Sequence, residues 1–193
     1  MYPAITVIMP SIPPRGVLRN AALASVASQT LQPHAVSLTI DVDRQGAPAT
    51  RQRALDAALT EWVAPLDDDD AFMPQHLEHL MRHAQETGAD YVYSWFEVVG
   101  GTDPFPSTHF TEPFKLDADG NPIETTVTVL MKTELAKEIG YKSLDRGHDT
   151  NTGEDYGMVL GAVRLGAKIE HLVEKTWYWR HHGKNTSGLA TKW

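Results

Sequence analysis

Glu61-Trp62-Val63-Ala64-Pro65-Leu66-Asp67-Asp68-Asp69-Asp70 joins an apolar run to four consecutive carboxylates without a spacer. Residues 62–66 read as a buried strand that runs directly into the acids. Like charges this close repel, and each raises its neighbour's pKa unless a cation or hydrogen-bond donors compensate. A divalent metal would resolve the conflict. The competing reading is a solvated acidic turn that also opens the next helix, because Asp favours a helix N-terminus. One or two of the four fill that second role.

Towards the N-terminus, residues 5–9 form a short apolar run ended by Pro10, a second buried strand. Leu18, Ala21, Ala22 and Val26 recur at helical spacing. Val36, Leu38 and Ile40 alternate and predict a strand ending at Asp41. Leu55, Ala58, Leu59 and Trp62 mark a further helix face. Beyond the acids, Pro74 sits where a first helical residue is tolerated, Leu77, Leu80, Met81 and Ala84 make the core stripe, and Gly88 is the stop. Residues 91–99 read as a longer strand. Three strand-then-helix units followed by a strand predict an α/β fold, a mostly parallel central sheet flanked by helices.

The second half is less regular. Residues 100–125 hold many Gly, Pro, Asp and Thr and predict a loop over the sheet. Residues 127–131 predict a strand and 133–138 a short helix. Tyr156, Val159, Leu160 and Val163 make a helix stripe after a loop over 146–155, and 168–173 and 176–180 predict two more strands. The 193 residues fit a single domain, with a regular first half over about 1–99 and a less regular second half over about 100–193.

Composition narrows the chemistry. Hydrophobic residues make up 41% of the chain, enough for a folded core. Cysteine is absent, which excludes disulfides and thiolate-ligated zinc and permits a reducing compartment. A net charge of −8 argues against a nucleic-acid partner, since neutralising phosphates needs Lys and Arg. No apolar run is long enough for a membrane span, and the opening residues lack a basic leader, so a cytoplasmic location is expected.

In open parallel sheets, ligands bind beyond the carboxyl ends of the strands. Three predicted strand ends carry suggestive residues: Pro10-Ser11, Asp41 with Asp43, and the run from Asp67 to Asp70. Their convergence on one sheet edge is a stronger signal than any one of them. Other motifs fall away. Asp117-Ala118-Asp119-Gly120-Asn121 has Pro122 and Thr128 where a calcium loop needs Gly and Glu, and reads as a hairpin turn. His76, His79 and His83 read as a solvated helix face, and Trp95 with Phe96 as core residues. Asn185-Thr186-Ser187 fits a glycosylation acceptor but has no secretory signal to accompany it.

Taken together, these segments resemble the family 2 glycosyltransferases, inverting enzymes with the GT-A, Rossmann-like nucleotide-binding fold. The run Ile5-Thr6-Val7-Ile8-Met9-Pro10-Ser11 resembles the family's first strand and nucleotide-contacting loop. Ser25-Val26-Ala27-Ser28-Gln29-Thr30 resembles its recurrent helix end. The strand into Asp67-Asp68-Asp69-Asp70 resembles the one carrying the DXD motif, and Gly153-Glu154-Asp155-Tyr156 the later Glu-Asp motif. Tyr178-Trp179-Arg180-His181-His182 with Asn185-Thr186-Ser187 resembles the closing segment.

The resemblance implies roles. Pro10 and Ser11 would contact the nucleotide, Asp41 rather than Asp43 the nucleobase, and Arg51 would lie beside the nucleotide, although Gln52 replaces the Asn that often follows it. Asp69 would ligate the metal, Mn2+ or Mg2+, and Asp67 would meet the ribose or the metal's water shell. The extra acids Asp68 and Asp70 leave that register open by one position, so Asp68 joins the nucleotide-sugar-binding candidates. Asp155 would be the general base, with Glu154 orienting the site, and His182 in preference to His181 would complete the metal shell. The expected function is metal-dependent transfer of a sugar from a nucleotide-sugar donor, such as a UDP-sugar, to an unknown acceptor: a saccharide, a protein or another polymer. The alternatives are a nucleotidyltransferase, which usually carries a glycine-rich loop after its first strand, and a module that binds without turnover.

Overall fold

The structure, a computed structural model, describes residues 2–103, 110–123, 126–142 and 153–182. The glycosylation triplet at 185–187 and most of the predicted 146–155 loop lie outside those residues.

β1 (Ile5–Ser11) is buried along its whole length between β2 (Ala35–Ile40) and β3 (Trp62–Pro65), both parallel to it. A strand covered on both faces needs apolar side chains in both directions, which is why it reads as a run rather than an alternation. Ile5, Val7 and Met9 feed one core, and Ile8 feeds the other. The first core is closed by Ala22 and Val26 of α1 (Gly16–Ala27) and by Leu77, Leu80, Met81 and Ala84 of α3 (His76–Thr87). The second is closed by α2 (Ala47–Asp56), α4 (Thr133–Ile139) and α5 (Glu154–Arg164), through Ala54, Leu55, Ala136, Met158, Val159 and Ala162. The result is helices on both faces of one sheet, the expected α/β class.

Among the described residues the sheet has seven strands; with β4 (Ala71–Phe72), β5 (Tyr91–Val99), β6 (Val129–Lys132) and β7 (Ile169–Arg180), their order is β2-β1-β3-β6-β5-β7-β4. The long pairings, β1 with β2, β1 with β3 and β5 with β7, are parallel. Short antiparallel pairings join β6 to β3 and β5, and β4 to β7. β7 is one strand where the sequence predicts two. It slips register against β5 between Ser94 and Phe96, which absorbs residues that read as a break. β4 is too short to show a period and was not legible.

Other expectations are revised. Val36, Leu38 and Ile40 do form a strand, but β2 is the end strand of the sheet, and all three are more than a third exposed. Leu59 is 93% exposed beyond the end of α2. His76 is not solvated: it is fully buried, stacks on Phe72, and shares a hydrogen bond of 2.7 Å with Thr176. Burial pushes its pKa down to about 3, so the imidazole is neutral. The stripe faces β7 rather than water, and His79 pairs with Glu174 at 2.6 Å. Asp117 accepts backbone N–H groups of Asp119 and Asn121, and Leu116 bridges Pro122, so that motif is the expected hairpin turn.

Candidate active site

The parallel pairing of β1, β2 and β3 brings Ser11, Asp41 and Asp67 to one edge of the sheet. There an open pocket of about 470 Å³ is lined by residues that include Pro10, Ser11, Asp41, Arg51, Asp67 and Asp68. All of the residues expected to meet the nucleotide thus face one space. Asp43 is exposed and is not part of the lining. Asp41 is buried and also shapes the wall: its two oxygens accept the N–H groups of Gln45 at 2.9 Å and Gly46 at 2.8 Å. Those bonds tie the β2–α2 loop into a tight turn, with Gly46 at φ 89° as the residue before the helix.

The acidic turn is held from three sides. Ser11 Oγ donates to Asp68 Oδ2 at 2.7 Å, and Arg15 Nη1 bonds Asp68 Oδ1 at 2.8 Å and Asp69 Oδ2 at 3.0 Å. The backbone N–H of Arg180 donates to Asp70 Oδ1 at 3.0 Å. From below, the helix-end motif Ser25–Thr30 fastens the segment that leaves the acids. Ser25 Oγ accepts the N–H of Phe72, Gln29 donates to the carbonyl of Met73 and accepts the N–H of Leu77, and the N–H of Thr30 donates to the carbonyl of Pro74. Gln29 is 3% exposed, so a buried amide serves both the end of α1 and the start of α3. That motif gives the acidic turn its position.

β4 follows the acids directly and pairs with β7, which returns the end of β7 to the turn. His182 Nε2 lies 3.1 Å from Asp69 Oδ2. His181 points elsewhere, with its ring edge-on to Trp179 and packed against Gly101. At Gly100, φ is +84° and a Cβ would come within 2.6 Å of the His181 carbonyl, so glycine is required for β7 to end where it does. Of the two expected histidines, the structure brings His182 to the acids and not His181.

Carboxylate oxygens of Asp67, Asp69 and Asp70 lie within 4.8 Å of one another. Burial, with the neighbouring acids adding to it, raises the pKa of Asp69 and pushes that of Asp70 well above the ordinary carboxylate range. Such a group binds either a proton or a cation. Two cis ligands at ~2.1 Å from an octahedral ion lie about 3 Å apart, and Asp69 Oδ2 and His182 Nε2 already have that spacing. Carboxylates with one imidazole suit Mn2+ or Mg2+: the Asp67, Asp69 and Asp70 oxygens form the cluster, and His182 stands next to its Asp69 oxygen.

Arg51 connects this cluster to the second acidic pair. Its side chain is 5% exposed, and its guanidinium bonds Asp67 Oδ1 at 2.5 Å and Glu154 Oε1, with Asp155 Oδ1 at 3.6 Å. Glu154 and Asp155 open α5 behind Gly153, which adopts φ 109°. The helix N-terminus favours their charged forms. Burial outweighs that effect and the pull of Arg51, and lifts the Asp155 carboxyl to about 7. Gln52 accepts the N–H of Tyr141 at 2.7 Å, a bond between α2 and the end of α4 that accounts for the residue standing where an Asn is common.

Arg15 is the site residue that sequence reading passed over. It follows Pro13 and Pro14 in the short 3-10 turn Pro13–Arg15, a position that looks like an ordinary loop arginine. Only the fold shows that the turn carries it back over the β3 end.

Known structures share this fold. S. aureus TarS 1–349 in complex with UDP-GlcNAc superposes with a TM-score of 0.75 at 19% identity, over 94% of this chain and 60% of that one. The same fragment in complex with UDP gives 0.72 at 18% identity, over 92% and 60%. S. aureus TarS gives 0.73 at 19% identity, over 92% and 37%. The chain therefore spans about 60% of the length of TarS 1–349 and shares its GT-A fold. No curated protein sequence matches it. Among the described residues, no helix is long and apolar enough to cross a membrane. The sequence profile of glycosyl transferase family 2 matches residues 21–140, more than half of the chain, and the protein belongs to that family.

Proposed function

We propose that this protein is a metal-dependent, inverting glycosyltransferase that takes a sugar from a UDP-type nucleotide-sugar donor. The observation that carries the reading is the approach of His182 to Asp69 beside the Asp67 and Asp70 carboxylates, in an acidic turn whose Asp67 and Asp68 line a pocket at the β1, β2 and β3 ends. The two TarS complexes with UDP-GlcNAc and UDP support this class of donor by analogy of fold.

In this reading Pro10, Ser11 and Asp41 receive the nucleoside, and Asp67 and Asp68 border the ribose and diphosphate. Asp67, Asp69, Asp70 and His182 hold Mn2+ or Mg2+, with His181 left out of the shell. The bound cation supplies Lewis-acid neutralisation of the departing diphosphate. Asp155 takes the proton from the acceptor hydroxyl, and a pKa near 7 matches that task, since an efficient base titrates near the working pH. Glu154 and Arg51 set the orientation of Asp155. The whole chain acts as one domain, and the acceptor is a saccharide, a protein or another polymer.

The test is release of nucleoside diphosphate from a panel of nucleotide sugars with Mn2+, with and without EDTA. Release that EDTA abolishes supports the transferase. Pyrophosphate exchange, or binding with neither reaction, refutes it. Asp155→Asn is expected to retain donor binding and lose transfer, and full transfer by that variant removes Asp155 from the role of base.

A further inference from the structure

Arg51 and Arg15 both enter the acidic turn, but on different terms. Arg51 is 5% exposed and is held by Asp67 of the turn and by Glu154 and Asp155 of α5. Arg15 is 18% exposed, lies on the pocket wall, and pairs with Asp68 and Asp69 of the turn. The two oxygens it bonds are also unequal. Asp68 Oδ1 belongs to a carboxylate that is 3% exposed and whose other oxygen is fixed by Ser11. Asp69 Oδ2 is the atom that His182 Nε2 approaches at 3.1 Å, the centre of the proposed cation site.

We propose that Arg15 is a donor-binding residue held in reserve by the acidic turn: it neutralises Asp68 and Asp69 in the ligand-free protein, and turns its guanidinium onto the donor diphosphate when a divalent cation takes Asp69. The inference rests on the nucleotide-sugar reading above. A guanidinium 3.0 Å from the oxygen a metal must use repels that metal. A diphosphate beside it offers several anionic oxygens to the same planar fork, a better match than one shared carboxylate oxygen. Arg15 therefore opposes the metal alone and assists the metal with the diphosphate.

Those opposite signs separate the proposal from a scaffolding role, because an arginine that merely shaped the turn would weaken both ligands when removed. Calorimetry on the whole chain would titrate Mn2+ alone, then UDP and GDP at saturating Mn2+, into wild type, Arg15→Gln and Arg15→Lys. Arg15→Gln is expected to bind Mn2+ several-fold more tightly and the wild type's preferred diphosphate about tenfold more weakly, the scale of one lost charge-assisted hydrogen bond. Arg15→Lys keeps the charge without the fork, so its Mn2+ affinity should stay near wild type while the diphosphate affinity falls; this variant decides the matter if Arg15→Gln does not fold. Both affinities falling together in Arg15→Gln, or an unchanged diphosphate affinity in either variant, overturns the proposal. A wild type that binds Mn2+ but neither diphosphate sinks the nucleotide-sugar reading itself, and this inference with it.

Discussion

Replacing Arg51 by Met removes one positive charge and leaves Asp67, Glu154 and Asp155 facing one another around a hole of similar volume. The Arg51 side chain is 5% exposed, so water cannot readily take its place. Breaking a buried ion pair from one side costs about 3–5 kcal/mol, mostly because the surviving charge is stranded. Here three carboxylates are stranded. The loss is comparable with the total stability of many domains, about 5–15 kcal/mol. For a chain of this size, a loss of 1 kcal/mol lowers Tm by about 2–4 °C, so Arg51→Met, losing about 3–5 kcal/mol, should melt about 6–20 °C below wild type at pH 8. The sign of the pH effect follows from linkage. A carboxyl whose folded pKa lies above its unfolded value binds more protons when folded, so stability falls as pH rises between the two values. Asp155 is already at about 7 with Arg51 present, and removing the cation that lowers it moves it higher still. The deficit of Arg51→Met should therefore be largest at pH 8 and shrink at pH 5.5. Scanning calorimetry of both proteins at the two pH values measures this directly. A variant within 1–2 °C of wild type at pH 8, or a deficit that grows on acidification, would refute the idea that Arg51 neutralises this cluster.

Three more outcomes follow from the same geometry. The kcat/KM profile should fall about tenfold per pH unit below about 7, because Asp155 must be ionised to accept a proton; a flat profile from pH 5.5 to 8 would contradict that assignment. His182→Ala should weaken Mn2+ binding by at least about tenfold by calorimetry or electron paramagnetic resonance, whereas His181→Ala should leave it near wild type, and the reverse order would exchange their roles. Gln29→Leu should cost about 1–3 kcal/mol in urea denaturation by leaving the Met73 carbonyl and the Leu77 N–H without their partner, and a neutral result would mean the amide does not fasten the turn.

The first hundred residues were legible because a strand buried on both faces cannot hide its composition. The run over β1 and the apolar stretch of β3 announced themselves, and parallel pairing then fixed which ends share an edge. The acids of that edge followed without further information. What pattern could not show were features set by long-range partners. The alternation of Val36, Leu38 and Ile40 shows a strand but not its place in the sheet, because such a pattern is read the same way at the centre and at the end. His76 looks solvated because its face is polar in sequence, yet Thr176 and Phe72 close over it. The part that Gln29 plays under the acidic turn, and the return of Arg15 to Asp68, need contacts across 44 and 53 residues. No local spacing encodes those.

The position of β6 bears on how the chain could be divided. This four-residue strand, from the second half of the sequence, lies between β3 and β5, both from the first. A fragment stopped near residue 100 would have no strand to join β3 to β5, and would also lose the acids of α5 that satisfy Arg51. A cut near residue 100 therefore divides one sheet, and neither piece should survive excision as an independently folding unit.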